Sequence, residues 1–286
     1  MASVQKYFSM VKFSHSIFAM PFAILGYFLG LKLNNIDFDY RILLYIVLAM
    51  IFARNAAMGF NRWLDRDIDK ENPRTARREV ASGIISAKNA LAFVIINSVL
   101  FVVVSALINP LTAVLSPVAL LVVLGYSYTK RFTSLCHLLL GLGLALAPIG
   151  AYLSVTAEFN NIIPVIFSFI VLLWTAGFDI IYALQDEQFD KQYNLYSIPS
   201  MLGKKRALNV SRLLHLLAAV LILINGYLLG GNFWYWIAAG VFIGLLYNQH
   251  RVVKVDDLSK VNLAFFTMNG IASIVFATLV IISLYQ

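Results

Sequence analysis

The stretch from Asn61 to Glu79, NRWLDRDIDKENPRTARRE, holds eleven Asp, Glu, Lys or Arg residues in nineteen, in a chain where such residues make up 13%. Within it Asn61, Asp65 and Asp69 recur every four residues, so a helix carrying them presents all three on one face. A second set stands in GFDIIYALQDEQFD. There Asp179, Tyr182, Asp186 and Asp190 fall at i, i+3, i+7 and i+11, again along one helical face. Solvated helix ends, balanced by neighbours such as Arg66 and Lys70, would account for Asp65 and Asp69 alone. They would not account for Asp179, which lies inside an apolar run where an unpaired carboxylate is costly.

Two acidic sets at the ends of helices suggest opposite walls of one cavity. Carboxylates that converge repel one another unless cations lie between them. An oxygen-only donor set of Asn61, Asp65, Asp69, Asp186 and Asp190, without a His or Cys cluster, points to a hard ion. Mg²⁺ fits, and it usually bridges a few carboxylates to phosphate oxygens. Arg62, Arg66, Arg74, Arg78, Lys130 and Arg131 would neutralise the rest of a phosphorylated substrate. The implied ligand is a diphosphate held by Mg²⁺, directly or through the phosphates, at the mouth of a membrane cavity. A diphosphate whose other end needs lipid is a prenyl diphosphate.

The elements that position these residues follow from composition. Of 286 residues 60% are hydrophobic, and the mean hydropathy is +0.80. Those values mark an all-α polytopic membrane protein, and strand-period alternation is absent. Nine apolar segments are long enough to cross a bilayer, near 14–32, 42–64, 87–107, 111–128, 133–154, 162–185, 207–229, 232–248 and 262–284. Asn109-Pro110 and Gly230-Gly231 divide longer runs into hairpins. With the sides alternating, Lys6, Lys12, the 62–88 loop, Lys130, Arg131, the 191–212 region, Arg251, Lys254 and Lys260 share one side. Only Lys32 and Arg41 fall on the other. The N-terminus and the acidic mouth are therefore expected on the cytoplasmic side and the C-terminus outside. The net charge of +8 reflects topology and an anionic substrate rather than nucleic acid. The single cysteine, Cys136, reads as a packing residue.

NRWLDRDIDKENPRT and DIIYALQDEQFD resemble the paired aspartate motifs of the UbiA superfamily of intramembrane prenyltransferases, most closely the 4-hydroxybenzoate polyprenyltransferase branch of quinone biosynthesis. The resemblance extends through KFSHSIFAMPFA, YTKRFT and GLALAPIGAY, and so over most of the chain. It implies nine transmembrane helices around a central cavity, one domain over residues 1–286, Mg²⁺, and transfer of a polyprenyl chain to an aromatic acid in a bacterial inner membrane. Asn61, Asp65 and Asp69 match the first motif, and Asp186 and Asp190 the second; the four aspartates are the expected catalytic residues. After NPRT the segment REVASGIIS departs from that branch. It resembles a neighbouring one, whose acceptor is the aromatic acid of the futalosine route to menaquinone.

Other residues carry open alternatives. Tyr182 can stabilise an allylic cation or make a plain interhelical hydrogen bond. Gln185 can bond the diphosphate or cap its helix. Lys130 and Arg131 mark topology or bind diphosphate, and the resemblance favours the second. Arg54, deep in the second segment, can read an acceptor carboxylate or pair with Asp179. His15 and His137 read as hydrogen-bonded helix residues, and Gly141, Gly143 and Gly150 as sites of close helix packing. A cation-coupled transporter would explain Asp179, but not aspartates clustered among arginines at one mouth.

Overall fold

The turn residues read from the sequence are where helices begin. Asn109 accepts from the Thr112 amide while Pro110 occupies the first helical position, which costs nothing because that N–H has no helical partner. The Asn109 side-chain amide also donates to the Leu153 and Ser154 carbonyls, fixing this hairpin to a neighbouring helix end. Ser86 and Asn232 cap their helices in the same way. Ser197 and Ser200 form a reciprocal capping box with Pro199 between them. Gly230, at φ 64°, makes the left-handed turn that only glycine adopts cheaply.

The computed structural model describes residues 4–11 and 18–286. Lys12 and His15 lie outside the described residues. The helices are α1 (Val4–Met10), α2 (Met20–Asn34), α3 (Tyr40–Leu64), α4 (Arg66–Glu71), α5 (Ala87–Ile108), α6 (Pro110–Thr129), α7 (Cys136–Thr156) and α8 (Ile163–Ala183). They continue as α9 (Glu187–Gln192), α10 (Ile198–Leu228), α11 (Phe233–Val252) and α12 (Asn269–Tyr285). A 3₁₀ turn (Leu184–Asp186) follows α8, and a π-helical turn (Leu263–Met268) precedes α12. Among the described residues seven helices are long and apolar enough to cross a membrane, and the protein is an integral membrane protein. The other two expected spans meet α2, of fifteen described residues, and α11, whose Asn248, Gln249 and His250 lower its apolarity. α10 is broken at Gly203, where φ is 75°, and its longer, apolar part beyond that residue contains the expected segment up to Leu228.

α8 packs between α7 and α10, α2 lies on α7 and α12, and α3 packs on α5 and α6. Trp174, Phe167, Phe22, Phe242 and Phe276 are fully buried at the centre. Ile95, Ile96, Val99, Val103 and Leu107 of α5 face outward. Such a surface is tolerable only against lipid, where backbone groups are already satisfied within the helix. One expected close approach is present: a Cβ on Gly141 would stand 2.4 Å from the Leu172 carbonyl oxygen. Gly150 has open space around it and Gly143 only an ordinary contact, so the expectation fails for both.

Candidate active site

Asp65 is a joint between α3 and α4, with φ −91° and ψ 3° rather than helical angles. The helical register survives it, because the Asp65 amide donates to the Asn61 carbonyl (3.0 Å) and the Asp69 amide to the Asp65 carbonyl (2.7 Å). Asn61, Asp65 and Asp69 consequently line the same cleft, of about 160 Å³, as Asp186 and Asp190. Asn72, Arg74, Thr75, Arg78 and Lys130 complete its polar lining.

Asp65, Asp69 and Asp186 each meet at least one basic side chain. Asp65, 1% exposed, accepts from Lys130 Nζ at 2.5 Å and Arg131 Nη2 at 3.0 Å. The Asn61 amide adds a third donor at 3.1 Å, and the Asn61 carbonyl oxygen accepts from the buried Arg62 at 3.0 Å. Asp69 accepts from Arg78 Nη1 at 2.7 and 3.0 Å. Across the cleft Asp186 takes a two-pronged contact from Arg74, with Nε at 2.9 Å to Oδ1 and Nη2 to Oδ2. Arg74 Nη1 also donates to the Tyr182 hydroxyl at 2.8 Å, and its guanidinium lies 5.1 Å from that ring's centroid. Burial pulls the Arg74 guanidinium down, but the Asp186 carboxylate and the Tyr182 hydroxyl together more than offset this and hold it above its ordinary pKa. Asp190 accepts from the Ser197 hydroxyl at 2.8 Å.

Several expectations shift. Asp179 does not share the cleft. It stands on α8, about 10 Å along the helix axis from Asp186, with the 3₁₀ turn between them. Asp179 instead meets His137 Nδ1 at 2.7 Å. The Ile198 amide donates to His137 Nε2 at 3.2 Å, which leaves Nδ1 as the proton-bearing nitrogen and donor to Asp179. Arg54 therefore forms no ion pair with Asp179; its Nη2 donates to the Val11 carbonyl at 3.1 Å. Gln185 bonds the Tyr182 carbonyl at 3.2 Å, closing its own helix end outside the cleft lining. Arg66 turns toward the Trp63 carbonyl and ring and toward Asp67.

The sequence reading missed Asn72, Thr75, Ser197 and the partner role of His137. Asn72 donates to Asp186 at 3.3 Å, and its carbonyl side accepts from the Arg74 amide at 2.9 Å, which forms the turn that aims Arg74. Thr75 Oγ1 bonds the Asp69 carbonyl at 3.2 Å. Asn-Pro-Arg-Thr was a legible turn signal, and Ser-Ile-Pro a legible cap. Nothing in their spacing named the carboxylates they reach.

Among the described residues no three His, Cys, Asp or Glu side chains converge on one ion-sized point. Mg²⁺ commonly takes one or two carboxylates and completes its shell with waters and substrate phosphates. The donor set is entirely oxygen, and the surrounding guanidinium and ammonium groups suit phosphate oxygens.

The model of the UbiA prenyltransferase family matches residues 19–271. The chain is 29% identical over 253 residues to the 4-hydroxybenzoate octaprenyltransferase of Aliivibrio fischeri strain MJ11, covering 87% of this chain and 86% of that one. Its fold is similar to the apo structure of a UbiA homologue from Aeropyrum pernix K1, with TM-score 0.84, 29% identity, and coverage of 94% and 97%. A UbiA homologue from Archaeoglobus fulgidus bound to GPP and Mg²⁺ shares the fold at TM-score 0.74 and 19% identity, covering 98% and 100%.

Proposed function

Because the chain belongs to the UbiA prenyltransferase family, we propose that it transfers a polyprenyl group from a prenyl diphosphate to an aromatic acid of the 4-hydroxybenzoate type in respiratory quinone synthesis. The observation that carries this reading is the cleft, where two acidic walls from α3–α4 and α8–α9 face one another among four basic side chains. The Aliivibrio relative acts, by its name, on 4-hydroxybenzoate. The Archaeoglobus homologue holds GPP with Mg²⁺.

In this reading Asn61, Asp65, Asp69, Asp186 and Asp190 would hold Mg²⁺, directly or through the diphosphate. When bound, the ion supplies Lewis-acid neutralisation of the leaving group. The side chains do the rest. Arg74, Arg78, Lys130 and Arg131 exchange part of their carboxylate contacts for phosphate oxygens and stabilise the departing diphosphate. Arg62 fixes the Asn61 amide. Tyr182, hydrogen-bonded to Arg74, puts an aromatic face beside the carbon that loses the diphosphate. The allylic C–O bond breaks, a bond forms to an electron-rich ring carbon, and that carbon gives up its proton. Asp179 and Arg54 lie deeper, where Arg54 suits the acceptor carboxylate.

We further infer one prenyltransferase domain over residues 1–286 with nine spans: α2, α3, α5, α6, α7, α8, α10, α11 and α12. They surround a central cavity in a bacterial inner membrane, with the N-terminus and the cleft cytoplasmic. The segment REVASGIIS favours a second acceptor, the aromatic acid of the futalosine route. Purified membranes assayed with one prenyl diphosphate and several aromatic acids, with and without Mg²⁺, decide between the acceptors. The reading requires a prenylated aromatic acid that forms only with the metal, and intact diphosphate with every acid would overturn it.

A further inference from the structure

The turn Leu263–Met268 is π-helical over six residues at the entry to α12. Such turns are costly and often mark functional positions, so what holds this one open is informative. In an α-helix the Asn269 amide would bond the Phe265 carbonyl, four residues back. Here that amide goes to the Phe266 carbonyl, three back. The Asn269 side chain takes over instead. Its Nδ2 donates to the Phe265 carbonyl at 2.9 Å and the Ala264 carbonyl at 3.2 Å. Its Oδ1 accepts from Trp174 Nε1 of α8 at 2.8 Å and Gln249 Nε2 of α11 at 2.6 Å. Asn269 is 0% exposed, and its two donors and two acceptor sites are all engaged.

The consequence of the turn is where it puts Phe265. That ring packs against Tyr182 in a tilted pair, with centroids 4.2 Å apart and planes at 34°. Tyr182 in turn holds Arg74, and Arg74 holds Asp186. Together with Asn262, Phe266 and Thr267, Phe265 and Tyr182 line a cavity of about 430 Å³. Relaxing the π turn to α geometry would rotate Phe265 about the helix axis by roughly one residue's step, on the order of 100°, and lift it off Tyr182.

We propose that Asn269 is a positioning residue for prenyl transfer: by holding the π turn open it seats Phe265 on Tyr182 and completes the aromatic wall that keeps water from the reacting allylic carbon. This rests on the prenyl-transfer reading above. Water that reaches that carbon forms a C–O bond as the diphosphate leaves and loses a proton, giving the polyprenyl alcohol. The wall therefore sets the partition between prenylated acid and alcohol.

The test follows both products in purified wild-type enzyme and in Asn269→Leu, Phe265→Leu and the double variant, with Mg²⁺, one prenyl diphosphate and a saturating aromatic acid. Each single variant is expected to raise the fraction of consumed diphosphate recovered as alcohol by about tenfold. The KM for prenyl diphosphate is expected to stay within about threefold, because the diphosphate's own contacts are untouched. The double variant should be no worse than the worse single, since both remove one ring pair. An unchanged alcohol fraction in Phe265→Leu overturns the proposal, and that variant leaves the Asn269 bonds in place if Asn269→Leu fails to fold. Independent, multiplying effects in the double variant also overturn it. Failure of the prenyl-transfer reading looks different, since wild-type enzyme would then give neither product.

Discussion

Replacing Arg78 by Met separates what the Asp69–Arg78 pair does for folding from what it does for catalysis. Asp69 is 4% exposed, and Arg78 Nη1 reaches both of its carboxylate oxygens at 2.7 and 3.0 Å. Thr75 bonds the backbone carbonyl of Asp69 and offers its carboxylate nothing. Arg78→Met therefore leaves a buried charge without its cation, a loss of about 3–5 kcal/mol. The Arg78 side chain is 24% exposed, so water offsets part of this and the lower end, about 3 kcal/mol, applies. For a chain of this size that corresponds to a fall in Tm of roughly 6–12 °C. Asp69→Asn, Arg78→Met removes charge and counter-charge together and should recover most of the lost stability. It should recover no prenyl transfer, because both groups handle the metal and diphosphate. Thermal denaturation of the detergent-solubilised variants, paired with a transfer assay, reads both quantities. Unchanged stability in Arg78→Met would refute the buried-pair argument, and transfer restored in the double variant would refute the catalytic one.

Three further outcomes are expected. EDTA should abolish transfer, with Mg²⁺ restoring the wild type and not Asp186→Asn; restoration in both would remove Asp186 from the metal site. In a Cys136→Ala background, cysteines at Asn160 and Gln286 should react with an impermeant label from outside and one at Asn194 only from inside. Labelling of Asn160 and Asn194 from the same side would mean a different span count. Arg54→Met should raise the KM for the aromatic acid by the equivalent of about 2–5 kcal/mol, with prenyl diphosphate KM within a few-fold. An unchanged acid KM removes Arg54 from acceptor binding and leaves it a structural role that includes its bond with the Val11 carbonyl.

Much of this fold was legible because bilayer thickness and turn chemistry act locally. The apolar runs give helix positions, and Asn109-Pro110 or Gly230 gives their ends. The four-residue recurrence of Asn61, Asp65 and Asp69 placed them on one side even though the helix breaks at Asp65, because the two backbone bonds across the break keep the phase. Phase counting registers neither depth along a helix nor a change in the angle per residue. Asp179 shares a side with Asp186 but stands too far along the helix to enter the cleft, and the π turn at Leu263–Met268 has no signature in a pattern read at 100° per residue. Partners distant in sequence were also hidden. His137 and Asp179 stand 42 positions apart, and Asn72 and Asp186 stand 114 apart. Helical spacing cannot pair such residues, because their meeting depends on how α7 packs on α8 and on where the loop after α4 meets the end of α8. Gly141 and Gly150 look alike in sequence, yet only Gly141 faces a neighbouring backbone.

The most direct measurement is mass spectrometry of the products formed by purified wild type, Asp65→Asn and Asp186→Asn from a prenyl diphosphate, 4-hydroxybenzoate and Mg²⁺. The two aspartates come from opposite walls of the cleft, Asp65 held by Lys130 and Arg131 and Asp186 by Arg74. The account predicts a C-prenylated acid and diphosphate from the wild type, and neither above background from either variant. Appreciable prenylated acid from a folded Asp65→Asn or Asp186→Asn enzyme would contradict it.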